Sequence, residues 1–244
     1  MEEIIAAIGS PSFSKLAGLI AAVGALGAAA AGLVDTTKFL NGGISNAGYK
    51  FIRRALDPFK KALERATGSS ADWQEVMKAH WLNGRAKDEQ KAIAKSLIRL
   101  GLDDKNAEDL ASKSGVEAEI LKQAAIALRK GEDLTPHQMN VLGRFDASVE
   151  ARLDAAFERA DQFYRNSSKA LAAGVAIILA IVAGGVLFVD EATTSASPII
   201  DYIFSRYFLL AIIVGAVAVP LAPVSKDIVS ALGTAVRAMK ATKG

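Results

Sequence analysis

The sequence predicts an all-α integral membrane protein: three transmembrane helices, with a cytoplasmic helical bundle inserted between the first and the second. Three observations point there. Three uncharged apolar stretches are each long enough to cross a bilayer. Mean hydropathy is positive, +0.26, in a chain with 23% charged residues, so apolar and charged residues are segregated along the sequence. No segment between residues 35 and 168 sustains a period-2 alternation, and helix formers dominate there.

The first stretch, Leu16 to Val34, has 19 residues: four Leu, one Ile, two Val, eight Ala and four Gly. The second, Ala170 to Val189, has 20. The third, Tyr207 to Val224, has 18, with Pro220 and Pro223 near its end. A helix rises about 1.5 Å per residue, so roughly 20 residues cross a hydrocarbon core of about 30 Å. Lys15, Lys169, Arg206 and Lys226 flank the crossings, and Tyr202, Tyr207 and Phe208 stand where interfacial aromatics are favoured. The chain thus divides into a short extracytoplasmic segment (1–15), a first crossing (16–34), a cytoplasmic domain (35–168) and a second crossing (169–189). A short extracytoplasmic loop (190–206), a third crossing (207–224) and a basic amphipathic interfacial helix (225–244) complete it.

The first crossing is expected to persist as an uncleaved anchor. Glu2 and Glu3 occupy the place where a secretory signal is basic, and the apolar run exceeds the usual 7–15 residues. Orientation follows from charge. Of 29 Lys and Arg, 22 lie between Asp35 and Ser168 and four follow Val224, whereas the segments before Lys15 and from Asp190 to Ser205 have none. That asymmetry predicts a multi-pass protein with its N-terminus outside and its central domain and C-terminus cytoplasmic.

Within the central region, Asn41-Gly42-Gly43 breaks the chain below the first crossing. A basic helix is expected at 44–67 (Tyr49, Lys50, Phe51, Arg53, Arg54, Phe59, Lys60, Lys61), kinked at Pro58. Short helices follow at 71–82, 86–101, 106–114 and 116–130. Thr135 reads as an N-cap with Pro136 in the first turn, opening a helix that runs unbroken to Val189. Val149, Leu153, Ala156, Ala160 and Phe163 form an a/d seam on it, while Glu150, Arg152, Asp154, Glu158, Arg159 and Asp161 lie outside the seam. The seam serves either a coiled-coil stalk or one helix of an intramolecular bundle. With fewer than three heptads, the bundle is the better reading.

Small residues recur inside the crossings. Ala172, Ala176, Ala180 and Gly184 form an i+4 stripe on the second, and the first carries Gly18/Ala22, Gly24/Ala28, Gly27/Ala31 and Ala28/Gly32. Such stripes let helix backbones approach closely where lipid supplies no hydrophobic drive. The plainer use is packing among the chain's own three helices; self-association is the sharper expectation, broken by Leu at Ala176 and Ala180. The C-terminal helix places Ile228, Val229, Leu232, Val236 and Met239 on one face, with Lys226, Arg237, Lys240 and Lys243 available to anionic headgroups. Ile4, Ile5 and Ile8 suggest a smaller interfacial turn ended by Ser10-Pro11.

Signs of chemistry are few. The chain has no cysteine and two histidines, His80 and His137, so neither a metal site nor a cofactor is expected. Gly42-Gly43 and Gly184-Gly185 do not follow strands, so neither reads as a nucleotide fingerprint. Trp73, Met77, His80 and Trp81 share one short helix and are read as a small core. Asn106 to Gln123 has the outline of a helix-turn-helix. Its second helix opens with Glu117 and Glu119, which repel phosphate, so it is read as a packed hairpin and no nucleic-acid partner is expected.

The runs FDASVEARLDAAFERADQFYRNSSK (145–169) and KDIVSALGTAVRAMK (226–240), with the order of segments, resemble uncharacterised bacterial inner-membrane proteins. Those have an N-terminal anchor, a cytoplasmic helical domain and a C-terminal transmembrane hairpin. The resemblance implies this plan and no activity.

No charge lies inside any crossing, which argues against ion carriers and proton relays. The expectation is therefore a non-enzymatic, self-assembling membrane protein serving as scaffold, membrane-shaping element or partner anchor. Its partners would be the bilayer, copies of itself, and a cytoplasmic or membrane protein. The alternative is an oligomeric channel or permeabilising effector gated by the cytoplasmic domain.

Overall fold

The computed structural model describes residues 11–191 and 198–241. The expected turn at Ile4, Ile5 and Ile8 lies outside the described residues, as does Lys243. Among the described residues every regular element is helical and there is no strand.

The helices are α1 (Pro11–Thr36), α2 (Asn46–Leu56), α3 (Lys60–Thr67), α4 (Ser70–Leu82), α5 (Lys87–Leu100) and α6 (Ala107–Ser114). They continue with α7 (Ala118–Lys130), α8 (Pro136–Glu191), α9 (Pro198–Ile203) and α10 (Arg206–Ala241). The ends obey local chemistry. The Ser69 hydroxyl accepts from the Asp72 amide at 3.1 Å and caps α4. Thr135 and Gln138 form a reciprocal capping box at α8: the Gln138 amide donates to Thr135 Oγ1 at 3.3 Å and the Thr135 amide to Gln138 Oε1 at 2.9 Å. Gly115 and Gly131 close α6 and α7 in the left-handed region, φ +68° and +72°.

Two expected elements differ. The basic helix at 44–67 is interrupted rather than kinked. α2 ends at Leu56, a 3₁₀ turn covers Asp57–Phe59 around Pro58, and α3 begins at Lys60. Pro58 has no amide hydrogen for a continuing helix and fits the first turn of a new one. Conversely, the third crossing and the C-terminal segment are one helix, α10, with Pro220 and Pro223 inside it.

The chain falls into two compact units, one from Met1–Ile44 with Asn166–Gly244 and one from Ser45–Arg165. The first contains α1, α10 and the apolar end of α8. Among the described residues three helices are long and apolar enough to cross a membrane. Mean hydropathies over their best windows are 2.1 near the N-terminus, 2.7 in α8 and 2.4 over Arg206–Ile228. The second unit closes around one core built from Ile52, Leu56, Phe59, Leu63, Trp73, Met77, Ile98, Leu110, Leu121, Phe145, Leu153 and Phe157. Val149, Leu153, Ala156 and Ala160 of the α8 seam are buried in this unit, so that seam serves an intramolecular bundle and not a stalk partner. Phe163 stays exposed and meets Phe51 with tilted rings, centroids 5.4 Å apart.

Candidate functional site

In the membrane-type unit, the expected packing residues divide by helix. Ala172, Ala176 and Ala180 of α8 are buried, 2%, 0% and 6% exposed, and Gly184 is half-buried beside Ala211 and the Tyr202 hydroxyl. The unit's small core is Ala30, Ala176 and Ala218, with Val23, Leu26, Val175, Leu179 and Val219 against it. Gly215 of α10 lies so close to the Ala176–Ile177 backbone that no side chain fits. On α1 the packed positions are Gly24, against Ser225, and Gly27, against the Ala218 carbonyl, with Ala30 and Val34. Gly18, Ala22, Ala28 and Gly32 are exposed, and Gly18 and Gly32 have open space where a Cβ would be. The stripe on α8 is thus occupied within the chain, while much of that on α1 is not. Repetition alone could not say which of several overlapping i+4 series on α1 faces a neighbour.

Aromatics gather at one end of this unit. Tyr202 of α9 is buried, donates its hydroxyl to the Ile181 carbonyl at 2.9 Å, and packs on Phe188 and Phe208. Of the cations expected to meet headgroups, Lys226 is exposed on α10; Arg237 and Lys240 fall within the same helix; Lys243 is outside the described residues.

The other unit carries two contrasting charged surfaces. On one, α5 presents Lys87, Lys91, Lys95 and Arg99 at successive i+4 positions, and α8 answers with acids at the same spacing. Lys87 meets Glu158 at 3.0 Å and Asp161 at 3.3 Å, and Lys91 meets Asp154 at 2.5 Å. Lys95 meets Glu150 at 2.8 Å and Arg99 meets Asp146 at 3.1 Å. Hydrogen bonds donated to the Glu158 and Asp154 carboxylates hold the Lys87 and Lys91 ammonium groups above their usual range. The Arg165 hydrogen bond holds Asp161 below the usual carboxylate range, while burial pushes Asp146 up. Of these acids, Glu150, Asp154, Glu158 and Asp161 are the ones the sequence places outside the α8 seam.

The second surface is basic and has no such partners. α2 turns Gly48, Tyr49, Ile52 and Leu56 inward and Lys50, Arg53 and Arg54 outward. Between α2 and α4 lies a groove of about 460 Å³ lined by Tyr49, Lys50, Arg53, Gln74, Glu75 and Lys78. A neighbouring hollow of about 510 Å³ adds Phe51, Arg54 and Asp57. Among the described residues, no carboxylate lies within ion-pair distance of Lys50, Arg53, Arg54 or Lys78. Lys50 instead sits 3.9 Å over the Phe163 ring. Tyr49 ties the walls together, its hydroxyl donating to the Gln74 carbonyl at 2.7 Å. Burial pushes that phenol up to about 12, Arg53 pulling weakly the other way, so it is a neutral donor at neutral pH. Trp81 Nε1 donates to the Ser45 carbonyl at 2.7 Å and fixes the start of α2 against α4.

Among the described residues no group of three His, Asp or Glu is placed to hold a metal ion. No family model matches the chain, and comparison with curated proteins and with solved structures returns no match.

Proposed function

We propose that the chain is a non-enzymatic scaffold of a bacterial inner membrane, which assembles with copies of itself and displays its helical domain in the cytoplasm. The observation that supports assembly best is the one-sided packing of α1. Gly24, Gly27, Ala30 and Val34 are buried, whereas Gly18, Ala22, Ala25, Ala29 and Gly32 are exposed at alternating four- and three-residue spacing. In lipid such a face is poor in the bulky side chains that solvate well in acyl chains, and suits close backbone approach by another helix. The charge asymmetry of the loops supports the orientation. The test is the mass of the particle extracted directly into native lipid nanodiscs. Several copies of the 25.6 kDa chain per particle would support assembly, and a single copy would overturn it. Unitary conductance in bilayer recordings would replace the scaffold by a pore.

A further inference from the structure

We propose that the α2–α4 groove binds the phosphate of an anionic phospholipid headgroup. Four cations face the groove and its adjoining hollow, Lys50, Arg53, Arg54 and Lys78, against two carboxylates, Glu75 and Asp57. A cluster of cations left without ion pairs is unfavourable by mutual repulsion unless an anion joins it, and phosphate oxygens accept from Arg and Lys in geometries that one protein carboxylate does not fill. The Gln74 side chain adds a neutral donor on the α4 wall. That wall is held in place by the Tyr49–Gln74 hydrogen bond whether or not an anion is present.

The lipid, rather than a soluble phosphate, is chosen on two grounds. Phe39 and Leu40, at the end of the first apolar segment, are 91% and 76% exposed, the kind of side chains that settle at a bilayer interface. Lys50 follows Leu40 by ten residues, at most about 36 Å of chain even when fully extended. The groove is thus tethered within reach of a headgroup layer. α2 does not insert, because its apolar face is already buried in the core, so recognition rests on headgroup charge alone. The proposal rests on membrane embedding, not on self-assembly. A chain that leaves membranes on alkaline extraction would sink the membrane reading by itself, before any groove measurement.

The full chain in a neutral detergent is titrated with short-chain phosphatidylglycerol, phosphatidylcholine, glycerol phosphate and inorganic phosphate. Fluorescence of Trp73 and Trp81, the two tryptophans and both on α4, is the readout. Saturable binding of phosphatidylglycerol that exceeds the other three is expected. The K50Q/R53Q/R54Q variant should bind it on the order of a hundredfold more weakly, roughly fivefold per cation removed. K78Q, on the opposite wall, should lose about fivefold with unchanged circular dichroism, which separates loss of binding from loss of fold. Equal affinity for glycerol phosphate would reassign the groove to a soluble ligand. Equal affinity for phosphatidylcholine, or an equal loss in a K105Q/K122Q/R159Q control, would reduce the effect to general charge and overturn the site.

Discussion

Gly48 of α2 and Ala160 of α8 meet backbone to backbone: a Cβ on Gly48 would stand 2.6 Å from the Ala160 carbonyl oxygen and 2.7 Å from Trp81 Cζ2. Alanine would improve helix propensity by about 1 kcal/mol in an open helix, and here overpacking of about 1–3 kcal/mol opposes it. Gly48→Ala is therefore expected to lower stability slightly and Gly48→Val by more than about 2 kcal/mol. Thermal melts of the full chain in detergent, followed by circular dichroism, check the order. A Val variant as stable as the parent would mean that α2 and α8 are not held this closely.

The α5–α8 charge ladder predicts a small but specific coupling. Lys95 and Glu150 are partly exposed, so their rung should contribute only about 0.2–1 kcal/mol. Lys95→Glu alone places three acids together and should destabilise; adding Glu150→Lys should recover most of the loss. A double-mutant cycle on melting temperature measures the coupling, and independent effects at the two positions would remove the rung.

The same ladder sets a pH profile. Lys87 and Lys91 lie above the ordinary 10.5, so their contribution is full below that value and lost as pH rises through their folded values. Asp161 lies below 3.8, held by the hydrogen bond from Arg165, so its contribution is present above 3.8 and lost as pH falls. Asp146 works oppositely, since burial raises it and protonation relieves that burden. Amide exchange in α5 should therefore stay slow across neutral pH after correction for intrinsic rates. Protection should fall below about pH 4 and above about pH 10.5, with salt weakening both edges.

Leucine substitutions should separate the two membrane faces. Ala176→Leu enters the chain's own Ala30–Ala176–Ala218 contact and should lower the melting temperature through overpacking of about 1–3 kcal/mol. Gly18→Leu with Gly32→Leu fills open space and should leave melting nearly unchanged while reducing particle mass. Mass unaffected by the second pair would exclude that face from assembly.

Because the chain has no cysteine, topology can be mapped on single introduced thiols without removing any. Asp201→Cys should react with an impermeant maleimide on intact cells. Lys122→Cys should react only after lysis. Labelling of both from the same side would overturn the orientation drawn from loop charge.

Much of the helical order was legible. Expected helices at 71–82, 86–101 and 106–114 correspond to Ser70–Leu82, Lys87–Leu100 and Ala107–Ser114, because caps and apolar periodicity are local signals. The Thr135–Pro136 start was readable for the same reason. What escaped was long-range. The basic stripe on α5 is visible in sequence, but its acidic partners lie 47 to 74 residues away. α9 is only six residues long and offers little periodicity to read. The paired prolines of α10 suggested an ending. Yet inside an apolar helix, stopping would leave more backbone groups unsatisfied than continuing does. The groove between α2 and α4 was half legible: Lys50, Arg53 and Arg54 stand out as part of a basic helix, but nothing in that run says that Glu75 and Asp57 beside them form no ion pair with them.

The ladder between α5 and α8 repeats every four residues on both sides, so it behaves as a rack rather than a lock. Sliding α5 by four residues, about 6 Å, would trade the pairs of Lys87, Lys91 and Lys95 for Asp154, Glu150 and Asp146, keeping three rungs of four. Charge therefore draws the two helices together without choosing their register. That choice falls to the inner face of α5, where Gln90, Ala94 and Ile98 differ in size, and to Gly101, which admits the Ala62 carbonyl with no room for a Cβ.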